Sequence, residues 1–521
     1  MKNIDELYSK AFKKLEAEEY DELLKFIEEM KRVDPTFKRT YLMEAVIALK
    51  SNEFCKAIDI LEKLLPRYDL SLPKEKEEAS IALRILASSY AQRSAPEEAL
   101  KFFKLSAQMT IDDNEGFIRY CEALLMANCL ENFSDKDFRV LYDGLKKYLA
   151  HIVPYPKKFY NHEKIRVGFL SGNFGNHSMI NWASSLLSGL DKKTFDTYCY
   201  SSINKEEFVT KIIHSSVDVW RDIHTLTNKD AAKLIHDDEI DILFDLDGHT
   251  LNNCLQVAVY HPATVQISGV GYMNSTGLDC FDYFLSDVYC AGDEKFFTEK
   301  VIRLPHSHIC YEPVKVLELT ETPPCLKNNF VTFGSFNSSI KITDSILATW
   351  KKILDIVPSS HLLLKHKLFS KDDGKNFFAE RLNNFGFDLS RVELRPFSAN
   401  HLAEYADVDI ALDTFPYTGG VTTCEALYMG VPVVSIYGAR HGTRFGLSIL
   451  KNIGLDDLAV DSYEKYIIRA FALASDWDLL TLLRKNLRTM MEKSPLMNSE
   501  LYIRDVEQAF IKILDDERGK L

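Results

Sequence analysis

The spacing of hydrophobic positions divides the chain into a helical first part and a mixed second part. Over residues 1–110 apolar residues recur with the period of amphipathic helices, and similar helix starts appear at Tyr20, Phe54 and Pro96. The first two starts are 34 residues apart, the period of a tetratricopeptide helix pair, and the third follows after 42 residues. Stacked helix pairs commonly form a peptide-binding or dimerising surface, although a plain helical bundle without a partner has the same pattern.

From about residue 161 short apolar runs alternate with helical stretches, which predicts parallel sheets with helices on both faces. A proline-rich connection at 312–328 separates two such sets, so we predict two doubly wound α/β halves with ligands at the carboxyl ends of their strands. The predicted strands cover 164–171, 195–200 and 240–246 in the first half, and 331–336, 361–364, 392–394, 409–412 and 431–435 in the second.

The same patterns predict four regions. Residues 1–110 form tetratricopeptide-like helical repeats, and residues 111–160 form a helical linker joined to the part that follows. Residues 161–315 form a first Rossmann-like domain, and residues 328–521 form a second one with terminal helices. The fold class is therefore α/β, preceded by an all-α domain.

Composition narrows the class of protein. A formal net charge of −13 argues against broad binding to nucleic acid or to anionic membranes. The ten cysteines show neither a C-x-x-C pair nor the spacing of a metal site, and they are expected to be reduced thiols. The first residues lack an apolar signal core, and no apolar run approaches the length of a membrane span. We therefore expect a cytoplasmic protein with no membrane span.

Residues 413–426 are the strongest candidate for a ligand site. The segment leaves a predicted buried strand, turns through Gly419 and Gly420, and opens a helix at Thr422 and Thr423. Glycines allow close approach of a ligand, and a helix start offers free N–H groups and a positive dipole end to a diphosphate. Glu425, one turn into the helix, is suited to accept hydrogen bonds from ribose hydroxyls. An ordinary strand–turn–helix with threonine caps is the alternative interpretation.

Three further side chains stand where chemistry is expected, each with a plain structural alternative. His177 follows a strand exit rich in glycine, Lys341 follows the first strand of the second half, and His401 begins a helix. Asp245 and Asp247 form a D-x-D pair, which holds a metal against a diphosphate in one class of glycosyltransferase. We favour a structural and sugar-side loop for this pair, because it lies far along the sequence from the 413–426 segment and Gly248 and His249 follow it directly.

Together these segments resemble glycosyltransferase family 41, which holds the O-linked N-acetylglucosamine transferases and the SPINDLY proteins. The resemblance covers roughly residues 115–515, and bacterial members with tetratricopeptide repeats are the most similar in organisation. It is carried by the motifs at 166–177, 245–250, 261–277, 333–342 and 412–427.

The resemblance implies a GT-B fold, in which two Rossmann-like domains face a cleft. It also implies an inverting, metal-independent transfer of N-acetylglucosamine from UDP-GlcNAc to serine or threonine hydroxyls of a protein. No cofactor and no metal ligand are expected, and His177 and Lys341 become the expected catalytic residues. The expected nucleotide-sugar-binding residues are Gly271, Tyr272, Asn337, Ser338, Pro396, His401, Gly420, Val421, Thr422, Thr423 and Glu425.

The chain departs from the animal enzymes at several of these places. Residues 122–128 lack the histidine that those enzymes carry in the helix before the first sheet. Ser338, Ser398 and Val421 stand where they have glutamine, lysine and histidine. These differences leave the identity of the general base and the donor preference open.

Several alternatives also stay open. The same chemistry with GDP-fucose or another UDP-hexose is the nearest one, and a UDP-sugar epimerase of the same fold is more distant. A partner-dependent subunit of a protein-glycosylating complex and a scaffold with a silent transferase half are the others. The expected partner is a protein acceptor, by analogy a bacterial surface protein or flagellin, and the repeats suit a partner subunit or a homo-oligomer.

Overall fold

The computed structural model describes residues 3–313 and 315–520, and its first part is entirely helical. The second, fourth and sixth helices begin at Tyr20, Phe54 and Pro96, as the repeat spacing predicted. Each helix buries one apolar stripe against its neighbours; in the fourth, Phe54, Ile58 and Leu61 are inside. The helices are α1 (Ile4–Glu16), α2 (Tyr20–Val33), α3 (Lys38–Lys50), α4 (Phe54–Leu64), α5 (Pro73–Gln92), α6 (Pro96–Met109), α7 (Asp113–Ala127) and α8 (Asp135–Lys146).

The first sheet has seven parallel strands in the order β3-β2-β1-β4-β5-β6-β7. Its central strands are buried on both faces because helices cover the sheet from each side. The strands are β1 (Ile165–Ser171), β2 (Phe195–Ser201), β3 (Val219–Asp222), β4 (Ile242–Asp245), β5 (Val265–Gly269), β6 (Tyr283–Asp287) and β7 (Lys300–Leu304). Between them lie α9 (Ile180–Gly189), α10 (Phe208–Ser216), α11 (Asn228–Asp237) and α12 (Leu255–Ala258).

The second sheet has six parallel strands in the order β10-β9-β8-β11-β12-β13. The strands are β8 (Thr332–Ser335), β9 (His361–Lys365), β10 (Val392–Arg395), β11 (Ile410–Leu412), β12 (Val433–Ile436) and β13 (Ala459–Val460). The accompanying helices are α13 (Cys325–Asn328), α14 (Asp344–Ile356), α15 (Asp372–Asn384), α16 (Val421–Tyr428), α17 (Phe445–Asn452), α18 (Tyr463–Ala474), α19 (Trp477–Glu492) and α20 (Ser499–Arg518).

Both sheets change direction of winding at a switch point, between β1 and β4 in the first and between β8 and β11 in the second. The loops that leave two such strands diverge and open a crevice at the carboxyl edge of the sheet. Most segments that the sequence singled out follow these strands: His177, the D-x-D pair, Lys341 and residues 413–426. Gly271 and Tyr272 follow β5, whereas Pro396 and His401 follow β10, at the edge of the second sheet. The topology alone therefore predicts where the site lies in each half.

Two contacts join regions that are distant in sequence. The first N–H groups of α4, on Cys55 and Lys56, donate to Asp373 Oδ2 at 3.1 and 3.3 Å, so a carboxylate of α15 caps a repeat helix. The last helix, α20, returns to the first half, where Phe510 meets the ring of Phe244 at 6.2 Å. The predicted region 328–521 thus sends its terminal helix onto the other half, and the four predicted boundaries remain predictions.

Across the described residues, no helix combines the length and the apolar character that a membrane crossing requires.

Candidate functional site

A cleft of about 310 Å³ lies between the two halves, at the exits of the switch-point strands. This volume is within the range of small-molecule sites. The first half lines it with His177, Ser178, Met179, Trp182, Val270, Gly271, Tyr272 and Met273, and the second half with Asn337, Ser338, Lys341, Tyr417, Gly420, Val421, Thr422 and Phe445.

Lys341 provides the cation of this cleft. It ends a short 3₁₀ turn, Ser339–Lys341, directly after β8. Its Nζ donates to the carbonyl oxygen of Thr418 at 3.3 Å and lies 3.6 Å from the centre of the Tyr417 ring. Burial lowers the pKa of Lys341 to about 8, and the nearby Asp413 carboxylate opposes that shift. The ammonium is therefore poorly hydrated and would gain from a bound anion.

Asp413 shapes the turn within residues 413–426, the predicted diphosphate site, which we call the cradle. Its Oδ1 accepts from the N–H groups of Thr414 and Gly419 at 2.8 and 2.7 Å, and its Oδ2 accepts from the Ser435 hydroxyl at 2.6 Å. Burial raises the pKa of Asp413 to about 6. The carboxylate folds the segment back onto β11, so that Gly420 becomes the N-cap of α16.

The hydroxyls of Thr422 and Thr423, in the first turn of α16, have different partners. Thr422 Oγ1 donates to Asn337 Oδ1 at 3.0 Å and so ties the cradle to the loop after β8. Thr423 Oγ1 donates to the Gly419 carbonyl at 3.0 Å, and the residue is only 2% exposed. Of the two hydroxyls, only that of Thr422 belongs to a residue lining the cleft. Among the described residues the amides of Val421 and Thr422 have no backbone partner, so these N–H groups are left for a ligand.

His177 lies on the opposite wall, in the loop between β1 and α9. Its Nδ1 accepts from the Met179 N–H at 3.3 Å, which assigns the ring proton to Nε2 in the neutral form. Burial lowers the pKa of His177, so the imidazole is neutral at neutral pH. In this tautomer Nε2 is a hydrogen-bond donor, and a role as base requires the other tautomer.

Gly271 and Tyr272 form the floor of the cleft after β5. A Cβ on Gly271 would lie 1.9 Å from the Leu246 carbonyl oxygen, so only glycine fits this approach. The Tyr272 hydroxyl accepts from Asn128 Nδ2 at 3.0 Å, and Asn128 caps α7. The helix before the first sheet, which lacks the histidine of the animal enzymes, therefore supports the site through an asparagine.

His401 and Glu425 do not line the cleft itself. Their side chains pair, Nε2 to Oε1, at 3.0 Å, and this hydrogen bond raises the pKa of His401. Both residues line a neighbouring hollow of about 530 Å³, which shares Thr422 with the cleft and which we call the outer hollow. Pro396 lines neither space; its carbonyl oxygen accepts from Lys365 Nζ at 3.1 Å.

The carboxylates of the D-x-D pair accept hydrogen bonds from the protein's own loops and strands. Asp247 accepts from the Ser171 hydroxyl, the Gly172 N–H and Asn173 Nδ2 at 2.7–2.9 Å. Asp245 accepts from the Gly248 N–H at 2.9 Å and from a serine of β5. Burial raises the pKa of Asp245 to about 6 and that of Asp247 to about 7. This arrangement agrees with the structural interpretation, because the pair fixes the loop that carries His177.

Sequence reasoning missed the aromatic contribution to the cleft. Trp182, on α9, faces Gly420 so closely that a Cβ there would lie 2.8 Å from Cη2 of the indole. Tyr417 lies under the Lys341 ammonium, and Phe445 begins α17. Tyr417 was inside the predicted cradle, but nothing in the local pattern distinguishes Trp182 or Phe445 from ordinary core residues.

Two doubly wound parallel sheets that face each other across such a cleft define the GT-B fold. Among solved structures, an O-GlcNAc transferase mutant from Thermobaculum terrenum superposes with a TM-score of 0.87 at 23% identity, and the match covers 100% of both chains. At that identity the match establishes the fold.

Sequence comparison narrows the class. The profile of glycosyl transferase family 41 matches residues 145–319 and 312–506. The protein named probable UDP-N-acetylglucosamine–peptide N-acetylglucosaminyltransferase SPINDLY from Solanum lycopersicum is 37% identical over 353 residues, and its Arabidopsis thaliana counterpart is 37% identical over 355. These alignments cover 66% of this chain but only 38% and 39% of the relatives, so the chain spans well under half of their length. The chain belongs to glycosyltransferase family 41.

Proposed function

We propose that this chain is an inverting glycosyltransferase that moves N-acetylglucosamine from UDP-GlcNAc to serine or threonine hydroxyls of a protein. The observation that carries the proposal is the meeting of Lys341, the start of α16 and His177 in one cleft. Family membership and the activity in the name of the SPINDLY relatives support the same donor and the same acceptor class.

The proposed chemistry is an in-line displacement at the anomeric carbon. An acceptor hydroxyl attacks from one side, and the diphosphate departs from the other with growing negative charge. Lys341 and the free N–H groups of Val421 and Thr422 would stabilise that charge. Because these groups supply positive charge where the diphosphate would lie, the proposed reaction needs no divalent cation in the cleft.

His177 would contact the sugar or the reacting hydroxyl from the first half. Its neutral imidazole, with the proton on Nε2, suits a hydrogen bond donated to an oxygen of the donor or of the acceptor. We therefore propose a positioning hydrogen bond for this residue in the state described, and catalysis as a base after a change of tautomer is the alternative.

We propose the outer hollow as the place of the nucleoside. Its floor includes Phe336, an aromatic surface for a base, and its rim carries the His401–Glu425 pair. On binding, the Glu425 carboxylate would accept hydrogen bonds from the ribose hydroxyls, either in place of the bond from His401 or in addition to it. Thr422 lines both the cleft and this hollow, so a nucleoside here and a diphosphate at α16 would be contiguous.

The acceptor would approach between the repeats and the second half. A hollow of about 550 Å³ opens there, with Arg93 and Glu97 on its repeat side and Arg381 on its catalytic side. Mixed charges on both walls suit an extended polar peptide.

The ten free cysteines suit the reducing cytoplasm. There the enzyme would meet an acceptor such as a bacterial surface protein or flagellin before that acceptor is exported.

The test is transfer by the purified chain in the presence of EDTA. The chain is incubated with an array of serine- and threonine-rich peptides and with isotopically labelled UDP-GlcNAc, and modified peptides are identified by mass spectrometry. We expect one N-acetylhexosamine per modified residue, with the β anomer found by NMR. Incorporation from a GDP-sugar alone would reassign the donor, and no incorporation from any nucleotide sugar would refute the activity.

A further inference from the structure

A second cluster of reactive side chains lies behind the cleft, outside the residues that line it. Cys290, His308 and His441 are all fully buried, with exposures of 0%, 0% and 1%. One potential ligand atom from each, the thiol sulfur and a ring nitrogen of each imidazole, lies within 4.8 Å of the other two. Neither the proposed transfer nor the cradle uses any of these groups.

The cluster joins the two halves of the molecule. Cys290 follows β6 and His308 follows β7, so both belong to the first sheet, whereas His441 begins the 3₁₀ turn His441–Thr443 after β12. The two imidazole rings meet at 66° with their centres 5.1 Å apart. The Cys290 thiol lies 3.6 Å from the His441 carbonyl oxygen, which brings the third group to the same point.

Both histidines are oriented as metal-binding histidines are. His308 Nδ1 is paired with Asp287 Oδ2 at 2.5 Å, and His441 Nδ1 is paired with the Met273 carbonyl oxygen at 3.2 Å. In both rings Nε2 is buried and has no hydrogen-bond partner among the described residues. Histidines that bind metals show this pattern: one ring nitrogen donates to a carboxylate or a backbone carbonyl, and the other nitrogen is left free for the metal.

The surroundings are apolar and closed. The ring of His441 packs edge to face against Phe284, Phe297 and Phe445 at 5.1–6.0 Å, and His308 stacks on Phe445 at 5.6 Å. The Met273 carbonyl oxygen can only accept a hydrogen bond, so the proton of the neutral His441 ring lies on Nδ1 and the lone pair on Nε2. Two unpaired ring nitrogens in such a shell are unusual, because buried polar atoms in proteins almost always have partners.

We propose that Cys290, His308 and His441 bind one Zn²⁺ ion, which links the first half to the second. Zinc accepts a thiolate and two imidazoles, with a fourth position left for water. Zn–S and Zn–N bonds of about 2.3 and 2.0 Å place tetrahedral ligand atoms roughly 3.5 Å apart, so the cluster contracts on binding. The thiolate and Asp287 together carry two negative charges, which balance the ion in its apolar shell.

This site is separate from the diphosphate cradle and does not depend on the proposed transfer. Its connection to the cleft is mechanical, since Met273 lines the cleft and its carbonyl holds His441. The ion would fix the relation between the floor of the first half and the loop after β12. Local sequence spacing carries no sign of it, because the ligands are contributed by three distant segments.

The test is the metal content of the untagged full-length chain, purified without metal-affinity steps and measured by inductively coupled plasma mass spectrometry. We expect about one zinc per chain, lost from Cys290→Ala and retained in Cys199→Ala, which removes an equally buried thiol on β2. Circular dichroism checks that each variant is folded.

Replacement by Co²⁺ makes the test independent of the variants. A thiolate ligand gives cobalt a charge-transfer absorption in the near ultraviolet, and two imidazoles and one thiolate give tetrahedral visible bands. We expect both in the wild-type chain after unfolding, chelation and refolding with Co²⁺. Metal-free wild-type protein that also shows no such bands would overturn the proposal, as would equal metal content in folded Cys290→Ala and Cys199→Ala.

Discussion

Removing the ammonium of Lys341 is the perturbation that bears most directly on the proposed chemistry. In Lys341→Ala the cleft loses its cation, while the 3₁₀ turn and the Tyr417 ring below it remain. We expect the fold to survive, since among the described residues Nζ has a single hydrogen-bond partner, the Thr418 carbonyl at 3.3 Å. Transfer should fall severely.

The expected loss of kcat/KM depends on how far the Lys341 ammonium is removed from water. Two unit charges about 4 Å apart interact by about 1 kcal/mol in water and by about 4 kcal/mol at the effective dielectric constant near a protein surface. Because burial lowers the pKa of Lys341 to about 8, the less hydrated limit applies. A full negative charge developing on the leaving diphosphate would then lose about 4 kcal/mol, which is about three orders of magnitude in kcat/KM.

The assay compares steady-state transfer with nucleotide binding. Product UDP carries the full charge of the leaving group, so its affinity should fall with kcat/KM, whereas UDP-GlcNAc, with less charge on the bridging side, should lose less. Lys341→Arg retains a cation and should recover part of the activity. Lys352→Ala, on the exposed face of α14, is the matched control and should behave as wild type.

Near-full transfer by folded Lys341→Ala would show that the ammonium does not stabilise the leaving diphosphate. A loss of transfer with unchanged UDP affinity would show the same, because charge stabilisation of the diphosphate acts on both.

Three other predictions concern the same site. The kcat/KM of the wild-type chain should fall as the pH rises through about 8, because the free enzyme then loses the Lys341 proton and its cation. Gly420→Ala should lower kcat/KM by about 10- to 100-fold, because the new Cβ would lie 2.8 Å from Trp182 and displace the opposite wall. Glu425→Ala should weaken UDP binding about tenfold and lower the pKa of His401, measured by titration calorimetry and NMR, because the 3.0 Å hydrogen bond that raises it is lost.

The pH profile and Glu425→Ala each have a contrary result, and Gly420→Ala has a matched control. A profile of kcat/KM that is flat from pH 7 to pH 9.5 would exclude a titrating Lys341, because the upper limit lies roughly one and a half pH units above the expected midpoint. Gly519→Ala, where the nearest atom to the new Cβ is 3.4 Å away, controls for substitution of glycine. Unchanged UDP affinity in Glu425→Ala would assign Glu425 to the protein's own histidine pair alone.

Much of the fold could be predicted because the buried strands are dense apolar runs. The segments predicted for β1, β2, β4 and β8–β12 match the observed strands to within two residues at their ends. The strand β3 was missed because it is an edge strand of partly exposed residues, Val219–Asp222, with no apolar run. The strands β5–β7 follow one another with only a four-residue helix before them, so the alternation of strand and helix that marks the other strands is absent there.

The site could be predicted as a set of segments but not as a set of contacts. Topology brings His177, Lys341 and Thr422 to one cleft, since all three follow switch-point strands. The inward turn of the Thr423 hydroxyl and the pairing of His401 with Glu425 depend on side-chain geometry, which residue types do not reveal.

Isothermal titration of the wild-type chain with UDP and with GDP, in EDTA, is the sharpest test of the proposed donor and of metal-independent binding. We expect UDP to bind at one site per chain without added metal, more tightly than GDP, and Lys341→Ala to weaken this binding. Tighter binding of GDP, or binding of UDP only after addition of a divalent cation, would overturn the proposed function.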